Sequence, residues 1–384
     1  MIFMASSIYE ASIAHLQPYQ LVLVGTVLEV SILIFEIPTG VLADTKSRKL
    51  SVILGFFLIG CGFLLEGSIP VFAPILAAQV IAGLGFTFIS GATTAWLTDE
   101  IGEYDANNTL LQANKFELGG SLLGLGLATW IGASNITLPL LVGSALMMLF
   151  SLILIGLMSE HGFSPTQPED RSTIQHAWSI FTESVETVRQ HPQMMTILGV
   201  GLVFGLYSEG WDRLWVKFIL DRFDTQAVIG ISPVVFFGLL RASGMLLSIG
   251  VTFRAEKRID AGSTKAISQA MLWITGLLAI SIAAYPYSIS VYMAGGLFLV
   301  VSVARNLSGP LYTAWINNKL PSKTRATILS ISSQVDAVGQ VMSGPLAAAI
   351  SLFSLPAAIT FAGLLLTPAL PLIKRVDHLS VDEL

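Results

Sequence analysis

Apolar residues fill this chain in long runs, and polar or charged residues are confined mostly to short gaps between them. A hydrocarbon core needs roughly 20 apolar residues per helical crossing, and runs of that order follow one another almost without pause. Reading each run outward to the nearest charge, glycine or proline predicts helices 2 to 6 over 18–43, 50–66, 71–97, 107–133 and 137–158. After a polar stretch, further runs predict helices 7 to 12 over 194–219, 229–253, 266–284, 287–315, 325–350 and 353–373. The segment from Met1 to Leu16 reads as the outer end of a helix 1 whose beginning is absent.

The basic residues orient these helices. They collect in alternate connections, around Lys46, Arg171, Lys257 and Lys323, and in the tail at Lys374 and Arg375. The opposite connections at 67–70 and 134–137 carry neither Lys nor Arg; Lys217 and Arg222 alone depart from the pattern. By the positive-inside rule the basic side, with the C-terminus, is cytoplasmic. The expected setting is the plasma (inner) membrane, crossed many times. Between 159 and 193, Ile174, Trp178, Phe181, Val185 and Val188 recur at helical spacing. They predict an amphipathic helix in the membrane interface or packed on the cytoplasmic face. The chain thus divides into an N-terminal transmembrane bundle over 1–158, a cytoplasmic linker over 159–193, and a C-terminal bundle with a short tail over 194–384.

A repeat supports this division. Gly40 and Arg48, eight apart after an apolar run, recur as Gly250 and Arg258. Thr94-Ala95-Trp96 recurs as Thr313-Ala314-Trp315, Thr109 as Thr327, Glu117 as Asp336 and Gly120 as Gly339, in the same order. Two six-helix halves in parallel orientation are implied, an arrangement of secondary transporters. The fold class expected is an all-α membrane protein of about 12 helices in two pseudo-symmetric bundles. Against this repeat the N-terminal half is short by most of one crossing. The expectation is a chain that begins inside helix 1, through a misassigned start codon or a truncation.

Composition narrows the chemistry. Hydrophobic residues make up 53% of the chain and charged ones 12%, about half the charged fraction of soluble domains. The mean hydropathy of +0.74 excludes soluble and nucleic-acid-binding classes. Cys61 is the only cysteine, so no disulfide framework or thiolate metal site is expected. Neither P-loop, HExxH nor GxSxG occurs. No enzyme activity, cofactor or metal is expected, and transport would draw on a gradient.

The segment Glu36-Ile-Pro-Thr-Gly40-Val-Leu-Ala-Asp44-Thr-Lys-Ser-Arg48-Lys49 resembles the signature between helices 2 and 3 of the major facilitator superfamily. Thr45 stands where that signature has a basic residue, and Ser47 where it has glycine. The resemblance implies the fold of that superfamily and a gating cluster of Glu36, Gly40, Asp44, Arg48 and Lys49, which latches the two halves in one conformation. Its repeat supplies Gly250, Arg254 and Arg258. In helix 4, Gln79-Val-Ile-Ala-Gly83-Leu-Gly85 resembles a second signature with Gln79 in place of its arginine. Gly344-Pro345 in helix 11 is similar to an antiporter element that the superfamily places in helix 5, where this chain has glycines without proline.

Ionisable groups inside apolar runs are the candidates for function, because a charge at the bilayer centre costs about 2.5–3.5 kcal/mol on insertion scales. Glu29 shares a helix face with Glu36 and lies deeper. Glu117 falls ten residues into helix 5, and Asp336 lies at comparable depth in helix 11; the resemblance places both helices around a central cavity. Helix 7 carries Tyr207, Glu209, Trp211, Asp212, Arg213 and Trp215. Tyr207, Trp211 and Trp215 either stack on a planar or cationic ligand or belong to an interfacial belt, and Glu209 and Arg213, four apart, suit an ion pair. Arg241 and Arg305 either neutralise these acids or bind an anion. The expected function is secondary transport by alternating access, with a small-molecule substrate and protons as partners besides the lipid bilayer. Proton-coupled export of hydrophobic or cationic compounds leads. The alternatives are proton-coupled uptake of a small anionic metabolite, and a non-transporting sensor or scaffold of the same fold.

Overall fold

The computed structural model describes residues 2–165, 192–260, 262–318 and 325–381. The apolar stripe Ile174 to Val188, with Arg171, Arg189, Lys319 and Lys323, lies outside the described residues. Among the described residues every regular element is a helix, and nine spans are long and apolar enough to cross a membrane. The protein is therefore an all-α, multi-pass membrane protein.

The helices follow the apolar runs. They are α1 (Ile2–Ser12), α2 (Pro18–Thr45), α3 (Arg48–Ser68), α4 (Phe72–Ile89), α5 (Ala92–Ile101), α6 (Glu103–Gly132) and α7 (Thr137–Leu157). Beyond the linker come α8 (Pro192–Arg222), α9 (Thr225–Ile229), α10 (Pro233–Glu256), α11 (Thr264–Ala284), α12 (Val291–Asn317), α13 (Arg325–Ser351), α14 (Leu355–Leu365) and α15 (Ala369–Val381). Serine starts many of them: Ser47, Ser232, Ser263, Ser290 and Ser354 hold extended backbone and accept from the third residue on. Each satisfies one of the amide donors that a helix N-terminus leaves open.

Two predicted helices are broken. The run 71–97 divides into α4 and α5 at Gly91, whose φ of 59° no ordinary helical residue adopts. The run 353–373 divides into α14 and α15 around Thr367 and Pro368, because proline has no amide hydrogen to continue the ladder. Hydropathy alone sees neither break, since both sit inside apolar sequence.

Contacts cluster the chain into two units, Met1–Leu16 with Val27–Ser179 and Gln17–Thr26 with Ile180–Leu384. The first turns of α2 thus group with the second unit. In the first unit α3 packs on α4 and α7, and α1 packs on α7. Its buried polar centre is Glu66, 0% exposed, which accepts from Ser6 Oγ at 2.6 Å and Gln79 Nε2 at 2.8 Å. Ser6 also reaches Glu10, and Tyr9 donates to the Gly67 carbonyl. Gln79, at the place of the superfamily's arginine, is therefore a neutral donor to a buried acid.

In the second unit α8 is central, packed against α13, α14 and α15. Its C-terminal half holds an aromatic core. Trp211 and Trp215, each 2% exposed, lie among Phe298, Tyr285 and Phe237, with ring centroids 4.2 Å apart for Trp215–Phe298 and 4.9 Å for Trp211–Tyr285. Burying rings of this size supplies a large share of apolar packing, and it fixes the face of α8 that carries the charges.

Candidate substrate site in the C-terminal unit

Asp212 on α8 and Arg305 on α12 form a two-pronged ion pair. Nη2 to Oδ2 is 2.8 Å, and Nη1 to Oδ1 is a second, shorter contact. This fork geometry is the strongest ion-pair form available to a guanidinium. The Arg305 side chain is 31% exposed and that of Asp212 44%, so the pair borders open space rather than solid core. The Arg305 guanidinium lies 5.6 Å from the centroid of the Tyr207 ring.

That space is a cavity of about 230 Å³ lined by Phe204, Tyr207, Ser208, Asp212, Arg305, Ser308, Asp336 and Gln340. A second cavity of about 360 Å³ shares Phe204, Ser308 and Asp336 with it. The second is rich in hydroxyls: Tyr312, Thr313, Ser332 and Ser333. Tyr312 donates to the Ile197 carbonyl and accepts from Ser332. Asp336, at the junction, accepts from Gln340 Nε2 at 2.8 Å and has no ion-pair partner among the described residues.

Close packing of α8 on α13 sets the position of Asp336. A Cβ built on Gly205 would lie 2.1 Å from the Asp336 carbonyl oxygen, and one on Gly339 would lie 2.5 Å from the Leu202 carbonyl. Hydrogen at both places lets the helix backbones touch, as small residues do at membrane-helix interfaces.

The remaining helix 7 residues occupy other faces. Trp211 and Trp215 line neither cavity. Trp215 instead lies under Arg241 of α10, whose guanidinium is 5.3 Å from its ring centroid. Glu209 and Arg213 pair along α8 at 3.4 Å, and Gly25 of α2 leaves the room they fill, since a Cβ there would lie 1.8 Å from Glu209 Oε1. In the first unit Glu29 is half-buried on α2 and Glu117 is exposed on α6.

The Gly40–Lys49 loop is built around Arg48. It contacts Asp44 at 3.4 Å, makes a shorter ion pair with Asp99, donates to the Ala95 carbonyl at 2.8 Å and faces the Phe163 ring. Glu36 accepts from Ser90 Oγ at 2.7 Å. Glu160 closes the start of α3 by accepting from Ser47 Oγ and the Lys49 amide. Asp99, Glu160, Gln340 and Tyr312 were not among the candidates. Asp99 and Glu160 carry a legible signal, acids at the ends of apolar runs beside a basic loop; Gln340 and Tyr312 become notable only through their neighbours. Around the repeat, Arg254 and Arg258 are exposed and form no ion pair among the described residues.

A multi-pass helical protein with a paired charge beside an internal cavity is the architecture of a membrane transporter. The family model of the Major Facilitator Superfamily matches residues 1–344, and the chain belongs to that superfamily of transporters. Over 327 residues it is 24% identical to the uncharacterized MFS-type transporter YxaM of Bacillus subtilis strain 168, covering 85% of this chain and 79% of that one. Its structure is similar to that of a variant of the nucleoside transporter NupG, with a TM-score of 0.72, 10% identity and coverage of 98% of this chain and 94% of that one. A POT family transporter in complex with a thioalcohol-conjugated peptide gives 0.71, 12%, 99% and 93%. These likenesses to solved structures concern the fold.

Proposed function

We propose that the chain is a proton-coupled secondary transporter that exports small hydrophobic or cationic compounds by alternating access, with Asp336 as the group that binds either proton or substrate. The supporting observation is that Asp336 borders both cavities while its neighbouring acid, Asp212, is occupied by Arg305. A carboxylate that is open to a cavity can be neutralised by a proton or by an organic cation, and not by both at once. Competition for one carboxylate makes the two fluxes opposite, which is exchange. Glu29 and Glu117 are the corresponding candidates in the N-terminal unit, and the Gly40–Lys49 loop holds one conformation of the cycle. The setting is the plasma membrane with a cytoplasmic C-terminus.

The test is flux in proteoliposomes with an imposed pH gradient and tetraphenylphosphonium as probe. Proton-driven efflux that loses its pH dependence in Asp336→Asn supports the reading; unchanged flux and pH dependence in that variant sink it. A second reading, proton-coupled uptake of a small anionic metabolite, is favoured by Arg241 and Arg305. Inward accumulation of organic acids in the same vesicles would select it.

A further inference from the structure

The smaller cavity is lined by two acids, Asp212 and Asp336, and one arginine, Arg305, with a second arginine, Arg241, behind its wall. At one end Arg305 is matched by Asp212, and Arg241 adds a further positive charge within electrostatic reach of both. Arg241 borders neither cavity. Its guanidinium rests on the Trp215 ring, it forms no hydrogen bond with a carboxylate among the described residues, and its buried Nε has no hydrogen-bond partner. At the other end Asp336 forms no ion pair among the described residues; it accepts from the Gln340 amide and lies within electrostatic reach of Arg305. Along α8 the two ends correspond to Trp215, below Arg241, and Gly205, against Asp336. Ten residues of helix separate them, about 15 Å of axis, and the side chains converge from there on Asp212 and Arg305.

The site as a whole is neutral but strongly dipolar. A purely cationic ligand answers Asp336 and adds its charge to an end that already has a positive surplus. A purely anionic ligand answers the arginine end and crowds two acids. We infer that the ligand of this cavity is a small zwitterion, its ammonium facing Asp336 and its carboxylate facing Arg305, with Arg241 behind Arg305 supplying the surplus positive charge. Such a ligand compensates both ends without changing the net charge, which matters where an unanswered charge is desolvated. The inference rests on the alternating-access transport proposed above and replaces the cationic substrate named there with a zwitterionic one. It also accounts for a site that offers one feature of a cation site and one of an anion site. A volume of about 230 Å³ restricts the ligand to a short one, with the hydroxyl-lined cavity open to any neutral extension.

Matched ligands of equal length test this. The purified full chain in detergent is titrated with 4-aminobutanoate, 6-aminohexanoate and 8-aminooctanoate, and with the diamine and dicarboxylate of each length, reading the shift in Tm and the quenching of tryptophan fluorescence. A zwitterion of one length is expected to act at concentrations at least tenfold below its diamine and its dicarboxylate. Arg241→Gln is expected to abolish the preference over the diamine, and Asp336→Asn the preference over the dicarboxylate. A diamine or dicarboxylate as effective as the zwitterion overturns the inference, as does silence of all three series. If Arg241→Gln does not fold, the comparison of the three series on the unsubstituted protein decides by itself. Failure here is separable from failure of the transport reading: tetraphenylphosphonium efflux that persists while zwitterions do not bind leaves a cation exporter.

Discussion

The two units of the chain place their charges differently. In the N-terminal unit ion pairs sit at helix ends: Arg48 with Asp44 and Asp99, where α3 begins and α5 approaches its end. Its deep acid Glu66 is held by neutral donors, Ser6 and Gln79. In the C-terminal unit Arg254 stands at the place of Asp44, and it forms no ion pair among the described residues. There Lys217 and Asp221 pair near the end of α8, but Glu209 with Arg213 and Asp212 with Arg305 pair within the helices, the latter beside a cavity. Charges at helix ends can be reached by water, which lowers the penalty of breaking a pair; charges in mid-helix are tolerated where they face one another, a cavity or a ligand.

Substitutions can break this contrast in order of expected effect. Arg305→Gln should be the most damaging, lowering transport roughly 30- to 100-fold from the loss of a charged fork. The double variant Asp212→Asn with Arg305→Gln should unfold at a higher temperature than the worse single one, since the double leaves no charge stranded; strict additivity of the two shifts in Tm would show that the pair is not coupled. Gly205→Val should lower stability by about 1–3 kcal/mol through overpacking of α8 on α13, whereas Gly250→Val, with open space around its Cβ, should leave the thermal midpoint nearly unchanged. Around Arg48, Asp99→Asn should cost about 1–2 kcal/mol and Asp44→Asn, in the longer and more exposed contact, less than about 1 kcal/mol. A reversed order in thermal unfolding would make Asp44 the principal partner of Arg48. Arg254→Gln should be the mildest, within about 0.5 kcal/mol, and a larger loss would mean that the repeat loop has a partner of its own.

Legibility in the sequence followed the kind of physics involved. Burying a helix in hydrocarbon demands about 20 apolar residues in a row, so spans such as 137–158 could be read to within a residue or two of α7. The Gly40–Lys49 loop was legible because its residues are contiguous. Helix 7 was recognised as unusual, but its side chains point in several directions at once. Trp211 and Trp215 went to an aromatic core, Glu209 and Arg213 to a pair beside Gly25, and Tyr207 and Asp212 to the cavity. A local string of polar and aromatic residues does not state which face each neighbour will take.

Sequence alone determined that this chain crosses a membrane repeatedly and that its deep charges required an explanation, because hydropathy and desolvation act on residues near one another in the chain. Only the tertiary structure decided which charge answers which. Asp212 meets Arg305 across 93 residues, Asp336 is positioned by a glycine seam on another helix, and Arg241 is held over Trp215 rather than by an acid. Those pairings depend on how helices pack side by side, and contacts between distant segments leave no local trace in the order of residues.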